Sequence, residues 1–287
     1  MSAHSQLQIK WPQPGEVIER GANRYWVGEM LGQGGFGATY GCVDQWNNSL
    51  VVKVLVPRGQ PYQHVRQNWE RELQSLFTLR HPNITYIYDA FERDATFHIV
   101  MERCGGSLSS LFGVPNYDGL SLLMPIARCV LQGVSYMHDH GYVHKDIHVG
   151  NVFWMHPRNE IGPTDNQSLT FKVGDLGISR LESELDFYTA SLAQWMLPPE
   201  ALNPQEFGVM GKPTDLYHAA LLLLSVVMGH VPTYTNDQIV QGAPQAAAAL
   251  LPHPIGAAIS KALRRHVSAR TQTAYEFWLD LNGRGTL

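Results

Sequence analysis

The sequence predicts an α+β fold in two lobes, a small antiparallel sheet carrying one main helix followed by a larger, mainly helical half. Three observations predict it. Residues 25–56 are apolar segments punctuated by glycines; residues 85–91 and 96–102 add two more strand-like runs; and downstream of a Cys104-Gly105-Gly106-Ser107 break apolar residues recur at helical spacing. The 287 residues, 44% of them hydrophobic, can bury a large core as one bilobal domain or two small ones. No internal repeat is present, and the only low-complexity stretch is the alanine run at 246–249, which disfavours repeat architectures and long linkers.

In chain order, Gly32, Gly34, Gly35 and Gly37 and the polar cluster at 45–49 separate antiparallel strands. Residues 65–79 place Trp69, Leu73, Leu76 and Leu79 at helical spacing, with His81-Pro82-Asn83 as the stop. After the flexible break at 104–107 come helical patterns at 121–140, 214–228, 255–267 and 273–281, with strand-like pieces at 151–155 and 170–173. These boundaries imply an extension over 1–23, a first lobe over 24–104 and a second over 105–287. The extension carries no partner signature.

Composition excludes several functions. With 21 Lys+Arg against 25 Asp+Glu, a net charge of −4, nothing points electrostatically to nucleic acid or to an anionic membrane. Cys42, Cys104 and Cys129 are far apart and lack metal-ligand spacing, so reduced structural thiols are expected. The N-terminus has no basic stretch leading into an apolar run, which argues against secretion and for a cytoplasmic protein. The apolar run at 219–228 is about half the ~20 residues a membrane span needs, and is expected to be a buried core helix. The sequence does not indicate an oligomeric state.

The chemistry-bearing signals come in order. Gly32-Gln33-Gly34-Gly35-Phe36-Gly37 satisfies G-x-G-x-x-G, a spacing that also marks dinucleotide-binding turns and would fit a hairpin with no ligand. Dinucleotide turns lead into a helix; here Ala38-Thr39-Tyr40 continues as strand, which favours a loop folded over nucleotide phosphates. Sixteen positions after Gly37, Lys53 stands inside the apolar strand Val51-Val52-Lys53-Val54, where an ammonium needs anionic partners. A snorkelling surface lysine is the plainer alternative. Glu72 on the following helix is a candidate partner. The third signal is His144-Lys145-Asp146-Ile147-His148-Val149-Gly150-Asn151, with Asp175-Leu176-Gly177 beginning 24 residues after Asn151.

In this order and spacing the motifs resemble the eukaryotic-like protein kinase family, over residues 25–281, and the glycine loop resembles its bacterial members. The resemblance implies the bilobal protein kinase fold, ATP as phosphoryl donor, and Mg2+ with Mn2+ as a substitute. It implies that Lys53 holds the α- and β-phosphates and is fixed by Glu72, preferred over Glu70 because it lies nine residues ahead of His81. Asp146 would accept or orient the proton of the attacking hydroxyl, and Asn151 and Asp175 would hold the metal. Gly32, Gly34, Gly35, Phe36 and Gly37 would cover the phosphates; Thr39, Val51 and Phe153 would sandwich the adenine, with valine commoner than threonine at position 39. Met101 would border the adenine pocket, and backbone groups of Glu102 and Cys104 would bind the adenine edge. Cys104 is equally a plain core thiol.

The resemblance also implies that Leu76, Ile87, His144 and Leu176 pack as one stack anchored by Asp215, that the activation segment runs from Asp175 to Glu200, and that Glu200 pairs with Arg270. Kinases of small molecules generally lack that pair, so a protein substrate is implied. Two positions depart from the pattern. His148 stands where Ser/Thr kinases place a lysine on the γ-phosphate, which implies slower transfer, or transfer that falls as pH rises. Ala193 stands where a threonine usually bonds the catalytic aspartate, and Thr189 is no clear replacement. Serine or threonine remains the better acceptor than tyrosine, and self-phosphorylation is expected. Lys145 replaces the arginine that commonly reads a phosphorylated loop. Tyr188, Thr189 and Ser191 are candidate phosphosites, with an unmodified loop residue the plainer reading of each. The alternatives are a pseudokinase that binds nucleotide as a scaffold, and a small-molecule kinase.

Overall fold

A computed structural model of the chain describes residues 11–33, 37–55, 61–156, 169–176, 180–181 and 197–285, without the side chains of Asn68, Arg71, Glu72, Ser75, Leu76, Arg180 and Leu181. The chain divides into two compact units: Met1–Arg80 with Thr85–Arg103, and His81–Ile84 with Cys104–Leu287.

The first unit is an antiparallel sheet in the order β1-β2-β3-β4-β6-β5, formed by Val17–Arg20, Asn23–Gln33, Gly37–Asp44, Ser49–Leu55, Thr96–Glu102 and Ile87–Arg93, the last being β5 in sequence. Strand β1 lies within the expected extension; it pairs Val17 with Trp26 and Ile18 with Tyr25, and buries Ile18 completely. Period-two alternation then sorts the faces. Tyr25, Val27, Ala38, Tyr40, Leu50, Val52 and Val54 form one core cluster with Phe91 and Val100. Helix α1 spans Tyr62–Thr78, starting three residues earlier than the apolar spacing suggests. It docks by aromatic contact: Tyr62 and Trp69 pack on Phe97 at ring distances of 5.4 and 5.1 Å. Burying such rings typically contributes about 2–3 kcal/mol each.

The second unit is mainly helical. Helix α2, Gly119–Asp139, begins at Asp118, whose carboxylate accepts the backbone N–H groups of Leu120 and Ser121 and so satisfies the first turn. Helix α5, Lys212–Met228, is buried on every side over residues 214–226, as its apolar composition requires, and ends at Gly229 in a left-handed conformation (φ 69°) that a side chain would resist. Helices α8 (Ile255–Ala262) and α9 (Ala274–Leu281) complete the packing on α2 and α5. Helix α8 stops well short of residue 267, and residues 267–269 make a separate 3-10 turn. The short helices α3 (Pro199–Leu202), α4 (Pro204–Phe207), α6 (Asn236–Val240) and α7 (Ala243–Ala249) went unanticipated. Among the described residues, α2 alone is long and apolar enough to cross a membrane, and half of that stretch is buried inside the protein.

The expected flexible break is instead structured. Gly106–Ser107 forms β7, paired with β9 (Val152–Met155), which also pairs with β10 (Thr170–Val173). Two-residue strands β8 (Tyr142–Val143) and β11 (Arg180–Leu181) pair with each other in a separate antiparallel sheet. Cys42, Cys104 and Cys129 are all free thiols.

Candidate active site

In the first unit, strand alternation gathers several candidate residues on one face. Thr39 of β3, Lys53 of β4 and Ile99 of β6 stand in register, and beside them Gly41, Val51 and Met101. Thr39, Val51, Lys53 and Met101 are half-buried on this face, while Ala38, Val52 and Val54 go into the core behind it. Gly37 is required by backbone approach: a Cβ there would lie 2.1 Å from the carbonyl oxygen of Val54. Glu70 on α1 pairs with Arg66 one turn earlier, Nε to Oε1 2.9 Å, on the exposed face of the helix. The N–H of Glu102 is spent on Tyr86 O (3.0 Å), and its Oε1 accepts the N–H of Tyr86 (2.6 Å).

In the second unit, one buried carboxylate holds a loop in shape. Asp215, in the first turn of α5, accepts the backbone N–H of His144 (2.8 Å) and of Lys145 (2.7 Å), and the Nε2–H of His138 (2.8 Å). Asp215 is fully buried, which alone would raise its pKa; the hydrogen bond and charge of His138, with further help from His144, hold it below the ordinary value instead. This anchoring fixes Lys145 at φ 69°, a left-handed conformation costly for a lysine. The loop then turns Asp146 outward.

Asp146 is met by two neighbours. Asn151 donates from Nδ2 to the backbone carbonyl and to Oδ2 of Asp146, both at 3.0 Å. His148 accepts the Gly150 N–H at Nδ1 (3.0 Å) and sets its Nε2 3.6 Å from Asp146 Oδ2. Burial pushes the Asp146 carboxyl up, but the hydrogen bond and charge of His148, with the charges of His144 and His218, bring it below its usual value. It is therefore ionised at neutral pH. His144 is wholly buried, accepts the Asp146 N–H at Nδ1 (3.2 Å) and points Nε2 at Gly174 O (3.1 Å), so the ring is bonded in the Nε2–H form. Gly174 also donates to Asn151 O (2.8 Å), which puts exposed Asp175, at φ 56°, directly after a residue tied to Asn151.

A second buried network lies in the same unit. Arg270 bonds Glu200 through Nη1 to Oε1 (2.7 Å) and Nη2 to Oε2 (2.6 Å), with both side chains closed to water. Thr214 adds a hydrogen bond to Glu200 Oε1 (2.8 Å); the Arg264 and Arg265 carbonyls take two further guanidinium protons, and the guanidinium stacks 4.6 Å from the Tyr217 ring centroid. Every charge in it has partners, the condition under which a buried ion pair is tolerated.

Residues 25–273 match the family described as Protein kinase domain. The chain belongs to the protein kinase family. It is 24% identical over 218 residues to mouse Serine/threonine-protein kinase PLK2, covering 75% of this chain and 30% of that protein. It is 24% identical over 234 residues to Mitogen-activated protein kinase kinase kinase 1 of Arabidopsis thaliana (80% and 36%), and 29% identical over 209 residues to Serine/threonine-protein kinase TAO2 of Xenopus laevis (72% and 19%). The chain thus aligns with about a third or less of these relatives' length.

Of the kinase candidates, the second unit brings together Asp146, His148 and Asn151, and sets Asp175 next in chain to Gly174. Phe153 sits half-buried in β9, opposite Lys172, and Cys104 is half-buried. Gly34, Gly35, Phe36, Tyr188, Thr189, Ser191 and Ala193, and the side chains of Glu72 and Leu76, lie outside the described residues. Sequence reasoning missed His138, Thr214 and Tyr217. A weak signal existed for His138, which stands four and eight residues after Val134 and Val130 on the buried face of α2. The donor set suits a hard cation: both amide protons of Asn151 are spent on Asp146, leaving Oδ1 to coordinate, and Asp175 is an exposed carboxylate. Among the described residues no three His, Cys, Asp or Glu side chains form a cage on their own.

Proposed function

We propose that this chain is a catalytically competent protein kinase, which transfers the γ-phosphoryl group of ATP to a serine or threonine hydroxyl of a protein and can phosphorylate itself. Residues 24–104 serve nucleotide binding and 105–287 catalysis. The observation that carries the reading is the pair of hydrogen bonds that Asn151 donates to Asp146, on a loop whose backbone is clamped by Asp215. An ionised aspartate at a fixed place is what a hydroxyl nucleophile needs.

The residues divide the work. Asn151 and His148 both lie on the Oδ2 side of Asp146, so Oδ1 is the oxygen left to take the hydroxyl proton. The hydroxyl oxygen bonds the γ-phosphorus, the bond to the β-phosphate oxygen breaks, and ADP leaves. Asn151 Oδ1 and Asp175 would hold Mg2+, with Mn2+ a substitute; when bound, the cation neutralises charge on the phosphates. Lys53, fixed by Glu72, takes the α- and β-phosphates, and Thr39, Val51, Met101 and Phe153 contact the adenine. Such transfer runs on positioning and charge neutralisation. The Glu200–Arg270 pair supports a protein acceptor over a small molecule.

Incubation with γ-labelled ATP, Mg2+ and a generic protein substrate, followed by phosphoamino-acid analysis, tests this. Phosphoserine or phosphothreonine is expected. Label only on tyrosine would overturn the choice of acceptor, and no label on any protein would overturn transfer itself. The proposal carries a cytoplasmic site of action, which cell fractionation checks.

A further inference from the structure

Gly41 of β3 has a neighbour that strand register alone does not forecast. Tyr40 and Cys42 on either side of it go into the core, so Gly41 turns toward the other face of the sheet, which carries Thr39, Val51, Lys53 and Met101. A Cβ on Gly41 would stand 2.9 Å from Nη1 and 3.6 Å from Cζ of Arg103. Arg103 follows β6 directly, two residues after Met101, and reaches across β4 to lay its guanidinium against the bare glycine backbone. There Nη2 lies 4.0 Å from Oε1 of Glu29 on β2, a carboxylate whose side chain is 78% exposed. That is a long ion pair, and none of the guanidinium N–H groups is hydrogen-bonded among the described residues.

Place along the strand says what this cation can meet. The glycine loop ends at Gly37, four residues before Gly41, and an extended strand advances ~3.3 Å per residue, so the guanidinium stands about 13 Å from the loop read as covering the phosphates. Val51, in register with Gly41, and Thr39, two residues along β3, are the residues read as contacting adenine. A planar guanidinium can stack on a purine and donate to ribose hydroxyls, which the point charge of a lysine does less well.

We propose that Arg103 is a further nucleotide-binding residue, whose guanidinium, seated on Gly41, contacts the adenosine part of ATP and leaves the phosphates to the glycine loop and Lys53. The inference rests on the kinase reading above and adds a residue to its nucleotide site. Gly41 is the seat, since any side chain there would push the guanidinium off the sheet.

Displacement of a fluorescent ATP analogue from the full chain by ATP, ADP and adenosine tests this without requiring transfer. Arg103→Met should weaken all three ligands by a similar factor, about five- to tenfold, and Arg103→Lys should recover only part of the loss. Gly41→Ala should weaken them about as much in the wild-type background and have no further effect beside Arg103→Met. Glu29→Gln should leave the three affinities unchanged; a loss matching that of Arg103→Met would show a tether through the ion pair and overturn direct contact. A loss that grows with the number of phosphates and vanishes for adenosine would also overturn it, as the mark of long-range attraction. Unchanged affinities in Arg103→Met, or equal weakening by Gly41→Ala whichever residue stands at 103, would overturn the seat while leaving the kinase reading intact. Failure of the wild type to bind any of the three would overturn the kinase reading, and this inference with it.

Discussion

Arg270 grips Glu200 with a two-pronged fork at 2.7 and 2.6 Å, and Thr214 closes the remaining side of the carboxylate. Breaking such a pair from one end strands a charge in the core. Arg270→Met should cost about 3–5 kcal/mol of unfolding free energy, and Arg270→Lys, which keeps the charge but loses the fork, clearly less. Replacing both ends, Glu200→Gln with Arg270→Met, should cost less than the two single changes summed. Urea midpoints check all three.

Asp215 links stability to pH. Its folded pKa lies below the ordinary carboxylate value, so the stability it contributes is complete above about pH 3.9, the unfolded value. That stability is lost as pH falls through the lower folded value. Asp215→Asn should be less stable by about 2–4 kcal/mol at pH 7, because His144 and Lys145 lose a charged acceptor. Its unfolding midpoint should also fall less steeply than that of wild type below about pH 4. Denaturation series from pH 7 to pH 2 measure both effects, and parallel acid limbs would contradict them.

His148 is predicted to be a tunable position for rate. Its Nδ1 is bonded to the Gly150 N–H, whereas a lysine would bring a permanent charge to the same place. His148→Lys should raise kcat at pH 8 by up to about tenfold, a little over 1 kcal/mol of barrier, with the unfolding midpoint little changed. Steady-state rates at saturating ATP check this, and equal rates would remove any special part for the imidazole.

Much of this was legible in the sequence because the chemistry is local. Asp146, His148 and Asn151 fall within six residues of one loop, so their spacing alone forecasts that they meet. The strands around Lys53 carry alternation dense enough to read, and the apolar run at 219–228, broken by Ser225 alone, announced a buried helix. What stayed hidden has physical reasons. Strand β1 has four residues, two of them charged, and its pairing is set by Tyr25 and Trp26 on the neighbouring strand. Helices α3 and α4 span one turn each and start at prolines, and α7 is alanine-rich with little amphipathic contrast. The Gly105-Gly106 segment looked flexible, but its glycines admit the Trp154 ring: a Cβ on Gly105 would lie 2.2 Å from it. His138 and Tyr217 act through partners 77 and 53 residues away, and no local pattern encodes such distances.

The most direct test compares initial rates of label transfer from γ-labelled ATP by wild type and Asp146→Asn, each acting on itself and on a generic protein substrate. The variant should keep the fold, since Asp146 is partly exposed at a loop position, yet lose about a thousandfold or more in rate. Equal incorporation by both proteins, or none by either under conditions where both are folded, would contradict the account.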